Sequence, residues 1–98
     1  MSTPVRVLAL FRAKPDKIAD LAVVLRAFVA PTRAEAGCVF YDLQQNPADP
    51  ADFTFFEEWE SEEHLAAHAA SDHIAAGRAR MPDLLAVPGD VRTYRRIA

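Results

Sequence analysis

Apolar and polar positions alternate at the start of the chain and then take up a helical spacing. Over residues 5–13 the alternation has a period of two, which predicts a first strand. Over residues 16–34 the apolar side chains recur every three or four positions, which predicts an amphipathic helix that begins near Pro15. Pro31 falls inside this pattern and should kink or end the helix, because proline has no backbone N–H.

The rest of the chain predicts a hairpin, a second helical region and a final strand. The predicted elements are strands over 38–45 and 53–59, helices over 61–70 and 71–81, and a last strand over 91–97. Residues 46–52 contain two prolines and are predicted to form a loop. The order β-α-β-β-α-β is that of the ferredoxin-like, split βαβ fold. We therefore predict one α+β domain over residues 1–98, with a four-stranded antiparallel sheet and helices on one face.

Apolar residues occur on both faces of this predicted sheet. The first strand carries Leu8 and Leu10 opposite Val7, and the third strand carries Phe56 opposite Phe55. The helices can cover only one face, and an exposed apolar face forgoes about 25 cal/mol for each Å² left in water. A second copy that presses its own sheet against this face would bury it in a two-fold symmetric contact. We therefore expect a homodimer with facing sheets.

Composition narrows the classes of partner and compartment. The formal net charge is −3 and the arginines are interleaved with acids, so no basic surface for nucleic acid is expected. Cys38 is the only cysteine, which excludes an internal disulfide and fits a reducing compartment. The chain shows neither a leader-like segment nor an apolar run long enough to span a membrane. We expect a cytoplasmic protein without a membrane partner.

The third predicted strand and the helix after it carry a recognisable signature. The strand is aromatic and ends in Glu-x-Trp, here Glu57 and Trp59, and the following helix carries His68. Together with the helix-to-strand passage over 31–41, this resembles the antibiotic biosynthesis monooxygenase (ABM) family over nearly the whole chain. The resemblance implies a dimeric α/β barrel and a cofactor-independent monooxygenase or quinol oxidase that acts on a small aromatic with O₂. The alternative is a non-catalytic, dimeric ABM-like protein that binds a small ligand or protects against stress.

Five side chains are candidates for a shared site. Phe55, Glu57 and Trp59 lie on one strand face by the period of two, Tyr41 lies across the hairpin, and His68 lies on the next helix. Aromatic walls beside titratable groups suit a flat phenolic ligand, because rings stack on it and a base can take the phenol proton. We assign His68 a role as the base or as an orienting residue, Trp59 and Phe55 as stacking residues, and Tyr41 as a hydrogen-bond partner of the substrate. The catalytic candidates are His68, Trp59 and Tyr41, with Phe55 and Glu57 as substrate contacts.

Departures from the family pattern limit which substrate the resemblance implies. The aromatic-polyketide oxygenases of the family carry an Asn where Phe55 stands, so their substrate is not expected here. They also use an Arg on the later helix, and either Arg78 or Arg80 supplies it in this chain. Haem-degrading relatives have their iron-ligating His where Arg78 stands and an Asn where Leu8 stands, so haem degradation is not expected.

Metal and nucleotide cofactors are not expected from the sequence. His64 and His68 are four residues apart on a predicted helix, but the zincin pattern requires Glu directly after the first His, and Leu65 stands there. Glu63 and His73 are the nearby residues that could add ligands. The three glycines are isolated, so the chain lacks a glycine-rich phosphate loop.

Overall fold

The computed structural model describes residues 3–98 and contains one antiparallel four-stranded sheet with helices packed on its inner face. The strands are β1 (Val5–Arg12), β2 (Cys38–Asn46), β3 (Asp49–Trp59) and β4 (Asp90–Tyr94). The helices are α1 (Ile18–Ala27), α2 (Val29–Arg33), α3 (Glu62–Ala69) and α4 (Asp72–Arg80), followed by a 3₁₀ turn at Met81–Asp83. The strand order β2-β3-β1-β4 confirms the predicted ferredoxin-like arrangement. Within the described residues, the helices are too short or too polar to cross a membrane.

The inner face of the sheet carries the core. Side chains of β1 and β3 alternate between the two faces, and the inward set includes Val7, Phe55 and Trp59, each at most 2% exposed. From α1, Leu21 and Leu25 are fully buried against them. Burial of one large apolar side chain contributes about 1.5–3 kcal/mol. The packing of α1 against these inward side chains therefore sets the distance between the helix and the sheet.

The first helical region begins later than its spacing predicts. The helix α1 starts at Ile18, because Pro15 lies in a hydrogen-bonded turn of residues 14–17. The predicted start near Pro15 is therefore wrong. The break between α1 and α2 falls at Phe28, about one turn before Pro31, whose missing N–H leaves the carbonyl four residues earlier without its helical partner. The predicted interruption of the helix is confirmed.

The hairpin between β2 and β3 is tighter than predicted. The turn consists of Pro47 and Ala48 alone, and β3 already begins at Asp49. The Asn46 side-chain oxygen accepts a hydrogen bond from the backbone N–H of Ala48 at 2.9 Å, which closes the turn locally. The prediction of a loop over 46–52 is therefore wrong, and β3 gains four residues at its start.

A β-bulge lies near the beginning of β2. Cys38 pairs with Trp59 and Phe40 pairs with Glu58, so Val39 is the extra residue on its strand. The bulge turns Cys38 toward the inner face, where it packs against the core. Because of this extra residue, Cys38 and Phe40 lie on opposite faces, whereas an uninterrupted period of two would place them on the same one.

Large apolar side chains on the outer face of the sheet remain partly exposed to solvent. Leu8 pairs with Phe56 across β1 and β3, and the Phe56 side chain is 42% exposed. Tyr94 on β4 is also exposed, and it borders a shallow depression together with Phe40. The last strand stops at Tyr94, three residues short of the predicted end.

Candidate active site

A cavity of about 630 Å³ lies between the inner face of the sheet and the helices. Its sheet side is formed by apolar residues of β1 and β3, including Ala9 and Phe55. The helices contribute Leu65, His68 and Ile74, and Pro82 together with residues 85–89 completes the wall near β4. Most of the lining is apolar, so a ligand held here would be largely desolvated. The titratable side chains on the wall are therefore few and well defined: Glu57, His68, Tyr41 and Arg78.

His68 is held in one orientation by an acid from a distant part of the chain. Its Nδ1 lies 2.7 Å from Oε2 of Glu35, which follows α2. Both side chains are mostly buried, at 9% and 18% exposed. A carboxylate accepts hydrogen bonds, so Nδ1 carries the hydrogen and the lone pair is on Nε2. Because the ring also lines the cavity, this tautomer presents a base to a bound ligand.

Trp59 lies behind His68 and is fully buried. The indole and imidazole centroids are 4.6 Å apart, with 33° between the ring planes. The indole Nε1 donates to Oε1 of Glu57 at 3.0 Å. Trp59 thus supports the His68 ring and orients Glu57, and it is not among the residues that line the cavity.

Glu57 is a buried carboxyl group on the cavity wall. Burial raises its pKa, while the hydrogen bond from Trp59 and the proximity of His68 oppose the rise and the charge of Glu35 adds to it. A carboxyl group shifted in this direction holds its proton more firmly in the folded protein than in the unfolded chain. Glu57 is therefore a weaker acid than an exposed glutamate.

Tyr41 faces the same space from β2 and pairs with Glu57 in the sheet register. Its ring stacks on Phe55 at 4.6 Å and meets the His68 ring edgewise at 5.6 Å. Burial strongly raises the pKa of the Tyr41 phenol, with a smaller contribution from the charge of Glu57. Tyr41 is thus a neutral hydroxyl that can donate or accept a hydrogen bond, and it is unsuited to act as a phenolate base.

A second histidine extends the network on the side of Glu35. His73, near the start of α4, places Nε2 3.3 Å from Oε2 of Glu35 and 3.0 Å from Oγ1 of Thr32. The Ser71 hydroxyl lies 3.5 Å from the same nitrogen and donates to the His68 carbonyl oxygen at 2.6 Å. The carboxylate of Glu35 therefore joins two imidazoles, one from α3 and one from α4.

The structure brings most of the sequence-predicted residues together. Tyr41, Phe55, Glu57 and His68 all contribute to the cavity wall, whereas Trp59 lies one layer behind. Their assigned catalytic and substrate-binding roles stay predictions. The two arginines that the sequence left open differ in position. Arg78 lies on the cavity wall and Arg80 does not, and Arg78 Nη1 donates weakly to the Ala69 carbonyl at 3.4 Å.

Glu35 and Thr32 were missed by reasoning from the sequence. Their spacing of three matches a helix capping box, but Thr32 is fully buried at the end of α2 and contacts His73. Glu35 is 33 positions before His68, and neither periodicity nor spacing links two residues that far apart. The one available signal in the sequence was the position of the Glu35 carboxylate between Pro31 and Gly37, two residues that favour a turn of the chain.

His64, the other member of the helical histidine pair, lies outside this network. Its Nδ1 is 2.7 Å from the Ser61 hydroxyl, which in turn caps α3 by accepting from the His64 N–H at 3.2 Å. Ser61 is thus the N-cap residue of α3. His64 and His68 therefore serve different local structures despite their spacing of four.

Comparison with known proteins gives one family. A model of the family described as antibiotic biosynthesis monooxygenase matches residues 4–80. The chain is 40% identical over 88 residues to "Putative monooxygenase Rv0793" of Mycobacterium tuberculosis, covering 90% of this chain and 86% of that protein. It is 29% identical over 92 residues to "Uncharacterized protein sll1783" of Synechocystis, covering 94% of this chain but 63% of that protein's length. The crystal structure of PA3566 from Pseudomonas aeruginosa matches with a TM-score of 0.93 at 36% identity, over 100% of this chain and 98% of the other.

Proposed function

Because this chain belongs to the antibiotic biosynthesis monooxygenase family, we propose that it is a monooxygenase that oxidises a small phenolic, quinol-like or anthrone-like aromatic with O₂. The family and the name of the Mycobacterium tuberculosis relative support a monooxygenase-like role. The aromatic substrate is our own inference from the cavity. The single observation that carries it is the His68 ring, fixed by Glu35 at 2.7 Å, on the wall of an apolar cavity.

His68 would act as the general base. With Nδ1–H donated to Glu35, Nε2 is free to take the proton of a phenol or of an acidic ring CH₂. The resulting anion is electron-rich and can pass one electron to O₂, after which the aromatic radical and superoxide combine at carbon. Loss of water from this peroxide leaves a carbonyl, so that a CH₂ group and O₂ become C=O and H₂O. Glu35 stabilises the imidazolium that forms after proton transfer.

The remaining wall residues suit an aromatic ligand with an oxygen substituent. Phe55 is rigidly packed against Tyr41 and Phe11, so it offers a fixed apolar surface. The neutral Tyr41 hydroxyl can hydrogen-bond the substrate oxygen near His68. Arg78 lies at the exposed edge of the cavity, where a guanidinium can pair with an anionic group of a larger substrate.

The test is oxygen consumption by purified protein supplied with anthrone or a hydroquinone. His68→Gln should lower kcat/KM by about 10²–10⁴-fold, the usual contribution of a positioned base. His64→Gln is the matched control, because His64 is on the same helix but its ring contacts the Ser61 hydroxyl. Equal rates for wild type and His68→Gln would remove the base from the mechanism. Ligand-induced thermal stabilisation without turnover would favour the non-catalytic binding role.

We also propose that the protein is a homodimer joined through the outer face of its sheet. Phe56 and Tyr94 are exposed there, and soluble monomers rarely leave such a surface open. Sedimentation velocity at micromolar concentration should show a dimer that Phe56→Asp converts to monomer. Val23→Asp is the matched control, since Val23 is an exposed apolar residue on α1. A monomeric wild type, or equal effects of the two substitutions, would contradict this interface.

A further inference from the structure

We propose that Glu35, His68 and His73 form a binding site for a divalent transition-metal ion such as Zn²⁺, at the back of the cavity wall. One ligand atom from each, namely a carboxylate oxygen and two ring nitrogens, lies within 4.8 Å of both others. Two imidazoles and one carboxylate are a ligand set used by zinc and by other transition metals of borderline softness. This set differs from the helical pair His64 and His68, which the sequence pattern had indicated.

The distances fit a site that closes by small side-chain movements. Oε2 of Glu35 is 2.7 Å from Nδ1 of His68 and 3.3 Å from Nε2 of His73. Ligand atoms about 2.0–2.2 Å from a tetrahedral zinc are about 3.4 Å from one another. The contact of Glu35 with His73 is already near this value, whereas its contact with His68 must lengthen by about 0.7 Å. The two ring nitrogens, which lie within 4.8 Å of each other, must come closer together. His73 has room to rotate because its side chain is 24% exposed.

The charges around the cluster favour a cation. Among residues 3–98, the ion-pair partners of Glu35 are the two histidines, with no Lys or Arg among them. Glu57 is a second carboxyl group close to His68. The negative charge of Glu35 contributes to the raised pKa of Cys38, Tyr41 and Glu57, after burial as the main cause for each. A cation bound here would therefore face the Glu35 carboxylate without a Lys or Arg from the described part of the chain as a competing ion-pair partner.

Two hydroxyl groups lie beside the ring nitrogen of His73 that would bind the metal. Thr32 Oγ1 is 3.0 Å from the His73 ring nitrogen, and the Ser71 hydroxyl is 3.5 Å from it. Because both hydroxyls contact the Nε2 that would bind the metal, they must release this nitrogen when the ion enters, and they can then hydrogen-bond a water on the metal. Three protein ligands leave at least one coordination position open, as zinc sites with an exchangeable water do.

Metal binding at Nδ1 would change what His68 can do at the cavity. A neutral imidazole that coordinates through Nδ1 carries its hydrogen on Nε2, so the lone pair that faces the cavity is lost. Zn²⁺ would therefore convert His68 from an acceptor to a donor. This consequence depends on the proposed oxidase function, whereas the binding site itself does not.

Isothermal titration of Zn²⁺ into untagged, chelator-treated protein at neutral pH tests the site. We expect one Zn²⁺ per chain in wild type and in His64→Ala, which keeps the cluster intact. His73→Ala and Glu35→Gln should each weaken binding by more than the roughly 10–100-fold that loss of an outer partner costs. Circular dichroism of each variant verifies the fold. Absence of saturable binding in wild type, or unchanged affinity in His73→Ala, would overturn the proposal.

Ring-nitrogen chemical shifts provide a second measurement that does not rely on affinity. Addition of Zn²⁺ to ¹⁵N-histidine-labelled protein should move Nδ1 of His68 and Nε2 of His73 and leave His64 unchanged. Shifts confined to His64 would place the metal elsewhere. Oxygen consumption separates this inference from the proposed function. If Zn²⁺ inhibits the oxidation of aromatics by wild type, and inhibits His73→Ala less when each protein is compared with its own metal-free rate, both hold. If Zn²⁺ binds a protein without turnover, the metal site stands alone.

Discussion

Substitution of Gly37 by alanine should strongly destabilise the protein, for two separable reasons. Gly37 has φ of +81°, in the left-handed region that favours glycine. A Cβ atom there would lie 2.2 Å from Cγ and 2.6 Å from Cβ of His64 on α3. The backbone carbonyl of Gly37 also accepts a hydrogen bond from the N–H of Glu60 at 2.8 Å. The glycine thus lets the loop that carries Glu35 approach α3 closely.

The cost can be assembled from these contacts. A left-handed conformation costs an L-residue about 1–2 kcal/mol. Moving the His64 ring aside breaks its 2.7 Å contact with Ser61, worth about 1 kcal/mol. Rotation does not relieve the contact with the His64 Cβ, so the backbone must also shift, at about 1–3 kcal/mol. Gly37→Ala should therefore lower the free energy of unfolding by about 3–6 kcal/mol in the wild-type background.

Urea denaturation followed by circular dichroism, at one fixed protein concentration, measures this in three backgrounds. In His64→Ala the ring is gone but its Cβ remains, so the cost of Gly37→Ala should fall only in part. In His64→Gly both steric contacts are gone, and only the conformational cost of about 1–2 kcal/mol should be left. The order wild type, His64→Ala, His64→Gly is the expected result. An equal cost in all three backgrounds would refute the steric part of the reasoning.

Three further substitutions test the site. Glu35→Gln should lower kcat/KM for aromatic oxidation by about 10–100-fold, because a charge-assisted hydrogen bond to His68 worth about 1.5–3 kcal/mol is weakened, whereas an unchanged rate would exclude this support. Burial raises the pKa of Glu57 above its unfolded value, so the stability from its protonation is present below the unfolded pKa and is lost as pH rises through the folded one. Glu57→Gln, which keeps an acceptor for Trp59, should therefore be more stable than wild type at neutral pH, with the difference shrinking in acid in urea titrations at several pH values. Phe55→Ala removes a side chain that is 1% exposed and should cost about 3–5 kcal/mol by the same assay, and a loss under about 1 kcal/mol would contradict its place in the core.

The sequence predicts the fold well where local pattern decides the structure. The period of two along β3 places Phe55, Glu57 and Trp59 on one face, and the structure confirms that arrangement. Pro31 correctly predicts the interruption between α1 and α2, because the hydrogen bond that its missing N–H cannot make is local to the helix. These features depend on neighbours within about one turn or one strand.

Prediction from the sequence fails where the local structure depends on a specific side-chain contact or on how residues of two strands pair. The extra residue Val39 is visible only in the pairing of β2 with β3. The Asn46 side chain makes the hairpin turn short, although two prolines nearby favour a loop. The contact between Glu35 and His68 arises only after α3 has packed beside the end of α2. The place of His68 on the cavity wall was therefore predictable from the family resemblance, whereas its contact with Glu35 was not.

The close approach of the Trp59 and His68 rings gives the protein an intrinsic fluorescent probe. Trp59 is the only tryptophan in the chain, and its ring centroid is 4.6 Å from that of His68. A positively charged imidazole accepts an electron from an excited indole, so the emission should dim when His68 gains a proton and recover when it is neutral. The intensity of unlabelled protein would then report the charge of one histidine directly. Rapid-mixing fluorescence could follow that proton during a single turnover.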